Sequence, residues 1–359
     1  MGWRIASNIA EIFYRAADGG GIDKTEALTL MRVDPLSKEG YALMQTADSL
    51  SRQTFKNKGE NHFHIGVNVE PCPMDCSFCS LTNGAGIFTE HIEFPYEQIL
   101  AWAKQAEARS ADALNIMTTG TYSFDKLLAI GRLLQAAVST PLVANTRDIN
   151  HKEGEKLLDA GFVGFYHAVR LGEGRDTPFR REKRIGTIKV LRDVGLLWMN
   201  CVEPVGPEHS HEEIVDLMFL AREYRAAYSG AMRRINFPGS PMSKYGMVNE
   251  LELAKVTAVS RLVMGDIPKA HCTHEPNSTS LMAGANLLFP EVGSSPRDNR
   301  PDSSKGIGRD PTDCRTMLQE VGWNPDLPSN CFGSTAAQFL NQERDESVAT
   351  GPSSFAVTS

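Results

Sequence analysis

Apolar side chains recur at helical spacing in three blocks within the first sixty residues, Ile5–Ala17, Thr25–Met31 and Lys38–Phe55. Glycines at 19–21 and Pro35 punctuate them. The pattern predicts a helical N-terminal cap over residues 1–60. From His62 onward, short apolar runs alternate with amphipathic stretches. The runs predict strands at Phe63–Val69, Leu114–Thr118, Leu142–Asn145, Phe162–Val169, Leu196–Val202, Met232–Asn236, Lys269–Thr273 and Ala285–Phe289. Between them the periodicity predicts helices at Tyr96–Ala108, Phe124–Ala136, His151–Ala160, Arg180–Val194, His211–Tyr228 and Leu251–Met264, with a short helical turn before Ala283. Two of these stretches end in "DAG" and "DVG", with glycine at the helix C-cap. Eight alternations of strand and helix predict an α/β fold, a parallel (β/α)8 TIM-type barrel over residues 61–292. A doubly wound open sheet has similar spacing, and the count of eight decides for the barrel. Beyond Pro290 the chain turns polar, with one helix at Asp313–Val321. Residues 293–337 therefore read as an extension folded over the barrel, and 338–359 as a disordered tail.

Composition narrows the picture. Of 359 residues, 41% are hydrophobic and 23% charged, the balance of an ordinary globular chain. Net charge is 37 − 44 = −7, so there is no basic footprint for nucleic acid and no electrostatic draw to an anionic membrane. No apolar run reaches about 18 residues and the N-terminus lacks a signal peptide's apolar core, so a cytoplasmic protein is expected. Three of the seven cysteines crowd into eight residues, Cys72 to Cys79. In a reducing compartment such a cluster reads as metal ligation.

"EPCPMDCSFCSLTNG" sets Cys72, Cys76 and Cys79 at C-x3-C-x2-C spacing directly after the first predicted strand. Loops after barrel strands lie at the C-terminal face, where active sites are built. Thiolates suit iron–sulfur clusters and zinc alike. Structural zinc normally takes four protein ligands, commonly as two separated pairs, and no second pair has that spacing. Three cysteines on a four-iron cluster leave one iron open to another ligand.

With the aromatic Phe78 before its last cysteine, "CPMDCSFC" resembles the cluster signature of radical S-adenosylmethionine (SAM) enzymes. More narrowly it resembles biotin synthase and its relatives, a group that includes hydrogenase-cofactor maturases, methylornithine synthase and two-protein lipoyl synthases. "MAGAN" at Met282–Asn286 is similar to the last barrel strand of that group, and the resemblance runs to about Trp323. It implies a [4Fe-4S] cluster on Cys72, Cys76 and Cys79. It also implies SAM on the open iron, cleaved by one electron to a 5′-deoxyadenosyl radical that takes hydrogen from an unactivated carbon. The SAM-binding residues it implies are Arg170 and Glu173 in "HAVRLGEGRD", Arg184, Phe78 against adenine, and Val205 with Gly206 in "CVEPVGPE". Thr118, Thr119 and Gly120 match the group's glycine-rich segment, without its usual acidic residue. The implied partners are a small-molecule or cofactor-precursor substrate and a one-electron donor such as flavodoxin or ferredoxin, and the resemblance allows a second radical SAM protein.

The positions that carry cysteines for biotin synthase's second cluster fall near Ile116 and Ala144, so a two-iron cluster of that type is not expected. A different auxiliary iron–sulfur cluster could use Cys201, His271, Cys272, Cys314 and Cys331, with His274, if the C-terminal segment folds over the barrel mouth. The alternative is that these cysteines are small buried hydrophobes. Arg234, Asn236 and His274 are candidate substrate contacts, together with Arg233, Glu275 and Asn277. The leading expectation is sulfur insertion into an unactivated C–H bond in cofactor biosynthesis, of biotin or lipoyl type, under anaerobic conditions. The alternative is carbon-skeleton rearrangement or metallocofactor maturation without an auxiliary cluster.

Overall fold

The computed structural model describes residues 4–333. Eight staves run round in chain order as β1 (Glu60–Gly66), β2 (Ala113–Met117), β3 (Leu142–Asn145), β4 (Phe162–Tyr166), a split fifth stave of β5 (Leu197–Met199) and β6 (Val202–Val205), β7 (Tyr228–Arg233), β8 (Ala270–His274), and a split eighth of β9 (Leu287–Leu288) and β10 (Glu291–Gly293). All barrel pairings are parallel, and β9 and β10 return to β1 to close the ring. The predicted (β/α)8 barrel is the observed one. Outside it, Asn68–Val69 and Ile92–Glu93 form an antiparallel ribbon beside the cysteine loop.

The helices are α1 (Ser7–Ala17), α2 (Lys24–Met31), α3 (Lys38–Thr54), α4 (Tyr96–Ala108), α5 (Phe124–Gln135), α6 (His151–Asp159), α7 (Arg181–Val194), α8 (His211–Glu223), α9 (Glu250–Met264), α10 (Ser278–Leu281) and α11 (Pro311–Glu320). Local chemistry fixes their starts. Asn150 with Glu153 and Ser210 with Glu213 form capping boxes, and Ser123 and Asn249 cap α5 and α9 through their side chains. Helix α8 ends five residues before the predicted Tyr228. Arg225 turns the chain at φ +53° and Tyr228 already belongs to β7. That strand starts early because Gly230 lets it press against β8; a Cβ there would stand 1.9 Å from the Cys272 carbonyl oxygen. None of the described helices is long and apolar enough to cross a membrane.

Two departures concern the terminal segments. Helices α1–α3 form a side layer on α8 and α9. Ser51 ties them in, donating to the Gly284 carbonyl at 2.6 Å and accepting from the buried Arg261 at 2.7 Å. The C-terminal extension closes the floor of the barrel instead of folding over its mouth. Ser329 and the Asn330 amide donate to Glu60, at the N-terminal start of β1, at 2.8 and 2.6 Å. Lys58 is buried between Asp112 and the Pro325 carbonyl, at 2.8 and 3.0 Å. Among the described residues, none beyond Arg297 borders the cavity at the mouth. The expected disordered tail, 338–359, lies outside the described residues.

Strand alternation sorts the core into two layers. On β1, Phe63 and Ile65 face the helices while the His62 and His64 rings meet lumen aromatics, Tyr228, Tyr166 and Phe289. On β8, Cys272 faces the lumen while His271 turns outward and donates through Nε2 to the Thr257 carbonyl of α9 at 2.9 Å. Burial, then the charge of Arg261, pushes the His271 pKa down to about 3. Its folded value lies below its unfolded one, so the stability it contributes is complete above about pH 6.5 and is lost as pH falls towards 3. Moving from pH 7 to pH 5 should therefore cost about 2 kcal/mol through this residue. Urea unfolding at the two pH values would measure that slope, which should shrink by about as much in His271→Gln.

Candidate active site at the mouth of the barrel

The cysteine loop leaves β1 and is pinned at both ends. The Cys72 amide donates to the Leu81 carbonyl at 2.8 Å, and the Ser80 amide donates to the Pro296 carbonyl at 2.9 Å. Asp75 takes a left-handed conformation at φ +46°, and its carboxylate accepts the Gly84 amide at 2.8 Å. Cys79 closes a turn onto the Cys76 carbonyl at 3.0 Å. All three cysteines are free, and all three line one cavity of about 350 Å³ in the barrel mouth. Burial pushes the Cys76 thiol up to about 11 and the Cys79 thiol up to about 12. Without a metal they therefore stay protonated at neutral pH.

Their spacing tests which metal fits. Two sulfurs on one tetrahedral zinc lie about 3.8 Å apart, given a Zn–S bond of about 2.3 Å. The Cys72, Cys76 and Cys79 sulfurs do not all come within 4.8 Å of one another, and no described residue completes a tight set with them. That spacing does not match a single tetrahedral ion, whereas three free thiols from one loop are the donor type an iron–sulfur cluster takes. Gly120 adds a second fit: a Cβ there would stand 3.1 Å from Met74 Cγ and 3.7 Å from Cys72 Sγ, filling space beside the loop.

Buried ion pairs ring the rest of the cavity. Arg170 Nε lies 3.2 Å from Glu203, which also accepts from Tyr166 Oη at 2.5 Å. Burial works against the Arg170 charge, but Glu203 and then Cys76 more than restore it and raise its pKa. Arg184 donates to Asp148 at 2.9 Å and to the Ala168 carbonyl at 2.9 and 3.3 Å. Thr119 is held by Asn68, and its hydroxyl and that of Thr121 both reach Glu70. Glu70, which follows the Asn68–Val69 ribbon, thus brings a carboxylate to the Thr118–Gly120 segment from behind the cavity wall.

The sequence-derived candidates divide accordingly. Cys72, Cys76, Cys79, Phe78, Thr118, Thr119, Gly120, Arg170 and Arg184 all line the cavity. Glu173 does not. It is buried behind the wall, accepting the Arg170 amide at 3.1 Å and the Thr177 hydroxyl at 2.6 Å, with Arg184 Nε at 3.6 Å. Glu173 therefore braces the two arginines. Val205 belongs to the outer core facing the helices, and Pro204 takes its place on the wall. If Glu173 is a brace, Glu173→Gln should change SAM affinity less than about threefold. Arg184→Ala, which strips a buried partner from Asp148, should weaken it about tenfold or more. Equilibrium SAM binding to both anaerobically reconstituted variants measures the difference.

The auxiliary set comes together only in part. Cys201, Cys272 and Cys331 pack in the lumen core with Tyr228 and Phe289. Cys314 lies in another cluster, with Phe55 and Trp323, and His271 points out towards α9. Cys201 and Cys272 touch through their side chains, but no three of these five form a tight ligand group among the described residues. The extension that was to carry Cys314 and Cys331 over the mouth closes the opposite end. Among substrate candidates, Arg234 lines the cavity, but its guanidinium is taken by Glu208 at 3.1 and 2.8 Å, by the Gly246 carbonyl and by Asn236. Asn236, Glu275 and Asn277 are off the wall, and Arg233 is engaged by Glu275 at 2.5 and 2.7 Å. His274 is on the wall, with neither ring nitrogen hydrogen-bonded. Residues the sequence reading passed over are also there, His64, Asp148, Tyr166, Glu203, Glu291 and Arg297. Only the period-two placing of His62 and His64 hinted at any of them.

No protein-family model matches the chain. It is 25% identical to the biotin synthase of Clostridioides difficile (strain 630) over 259 residues, 68% of this chain and 78% of that one. Its fold is that of HydG, a maturase of the [FeFe]-hydrogenase, with a TM-score of 0.76 at 12% identity over 96% of this chain and 82% of that one. It is equally that of methylornithine synthase (PylB), with a TM-score of 0.74 at 14% identity over 91% and 98% of the two chains. The chain is thus similar in sequence to biotin synthase and shares its fold with HydG and methylornithine synthase.

Proposed function

We propose that this chain holds a [4Fe-4S] cluster on Cys72, Cys76 and Cys79, binds SAM in the adjoining cavity, and removes hydrogen from an unactivated carbon of a small-molecule substrate. The observation that carries this reading is the trio of free thiols on a cavity wall, spaced too widely for one tetrahedral ion. Bound there, the cluster and SAM supply one-electron cleavage of a carbon–sulfur bond and a 5′-deoxyadenosyl radical. The chain's own residues do the rest. Thr119, Gly120, Arg170 and Arg184 lie beside the cysteines and hold the SAM. Each arginine on this wall already faces a carboxylate, Arg170 with Glu203 and Arg184 with Asp148. Such a balanced lining suits a zwitterionic guest such as the methionine end of SAM. The closed barrel floor keeps water from the lumen, which protects a radical from quenching.

For the overall reaction, Cys314 and His271 lie away from the lumen cysteines Cys201, Cys272 and Cys331, so the five-residue set is not assembled, which favours chemistry without a sacrificial second cluster. Carbon-skeleton rearrangement or metallocofactor maturation therefore fits better than sulfur insertion. The test is anaerobic reconstitution, acid-labile sulfide analysis, then SAM with dithionite. About four sulfides per chain and release of 5′-deoxyadenosine are expected. Clearly more sulfide would restore sulfur insertion, and a chain that takes up only zinc and yields no 5′-deoxyadenosine would overturn the whole reading.

A further inference from the structure

We propose that His64, His274 and Glu291 bind one divalent transition-metal ion deep in the same cavity, at a site that shares no ligand with the cysteine loop. All three residues line the cavity and all are buried, with exposures of 3%, 6% and 5%. One prospective ligand atom from each lies within 4.8 Å of the other two. The two imidazole rings stand edge to face with centroids 4.9 Å apart, and His274 Nε2 is 3.7 Å from Glu291 Oε2. That separation is too long for a good hydrogen bond. It is close to the roughly 3.0–3.4 Å between two donors about 2.1 Å from a shared ion.

The stronger observation is what these rings lack. His64 Nε2 and both nitrogens of His274 are buried without a hydrogen-bond partner. Buried polar groups are nearly always paired, and each one left alone costs about 1–3 kcal/mol. Three in one cluster on a cavity wall need a partner from the cavity, an ordered water or a bound ion. Arg297 donates to both oxygens of Glu291, at 2.9 and 2.8 Å, and fixes the carboxylate as an outer-shell partner does.

Two imidazoles and one carboxylate are a ligand set for Fe2+, Zn2+ or Co2+, and three protein ligands leave coordination positions open towards the cavity. Because Arg297 already cancels the charge of Glu291, a bound ion would keep its positive charge. It would draw an anionic oxygen or nitrogen of the substrate into those open positions, so the site anchors substrate in the cavity that the cysteine loop borders.

The experiment takes the full-length chain with its cluster reconstituted anaerobically, adds Co2+, desalts, and counts cobalt, iron and sulfide. One cobalt per chain is expected beyond the cluster. His64→Gln and His274→Gln should each weaken cobalt binding about tenfold or more while cluster iron and sulfide stay unchanged. Cys76→Ala should lose the cluster and keep the cobalt. A wild-type chain that retains no cobalt overturns the site, as do glutamine variants that hold it as tightly as wild type. Should both glutamine variants fail to fold, the cobalt spectrum of the Cys76→Ala chain decides. Weak ligand-field bands alone support nitrogen and oxygen ligands, whereas intense thiolate charge-transfer bands overturn the assignment. Cluster content and 5′-deoxyadenosine release report on the cysteine loop separately, so the two readings fail independently.

Discussion

Cys76→Ala should abolish 5′-deoxyadenosine formation, a loss of at least about a thousandfold that leaves only background SAM breakdown. Cys76 is the middle ligand of the loop, and removing it leaves two sulfurs where three corners of a cluster need holding. Stability should change little. The Cys76 thiol faces the cavity and belongs to none of the packed apolar clusters. The variant should therefore unfold within about 0.5 kcal/mol of wild type, as surface substitutions usually do. Iron content, the electron paramagnetic resonance of the reduced cluster and product release would be read on one preparation. A Cys76→Ala chain that keeps a full cluster and cleaves SAM would mean that other residues hold the metal. Cys201→Ala is the matching control. It removes a sulfur from the lumen core, so it should cost stability and leave the cluster intact.

The barrel was legible where its outer, helix-facing positions are apolar. Strand Leu142–Asn145 and helix Tyr96–Ala108 match their predicted bounds because both are periodic and sharply punctuated. Elsewhere the lumen-facing positions are polar or aromatic, and a search for apolar runs slides past them. Strand β1 was read as starting at Phe63, one residue after His62, and Glu203 sits in a stave split after Met199. The cysteine spacing was legible because three ligands from one loop need no tertiary information. The pairs Arg184–Asp148 and Arg170–Glu203 were not, since each joins segments more than thirty residues apart. Glu70 shows the same limit, reaching the hydroxyls of Thr119 and Thr121 from beyond the Asn68–Val69 ribbon. The destination of the C-terminal segment was also beyond reach, for its polar composition fits either end of the barrel equally well.

Trp323→Ala should cost about 3–5 kcal/mol, the price of emptying a large buried aromatic site. Trp323 is 2% exposed and packs with Phe55, Leu281, Leu288 and Leu318, where α11 meets the barrel floor. The Arg52 guanidinium lies 4.4 Å from its ring centroid, and Gly59 is pressed so close that a Cβ there would stand 3.0 Å from Trp323 Cβ. Its indole nitrogen is buried without a partner, so the contribution comes from packing and the Arg52 contact, with no hydrogen bond to lose. Trp323→Phe should therefore cost far less, about 1–2 kcal/mol. Urea unfolding of the three chains would give that order. The cysteine loop lies at the other end of the barrel, so SAM binding by the folded fraction should be the same in all three. A Trp323→Ala loss below about 1 kcal/mol would mean that the extension rests on the floor without sealing it.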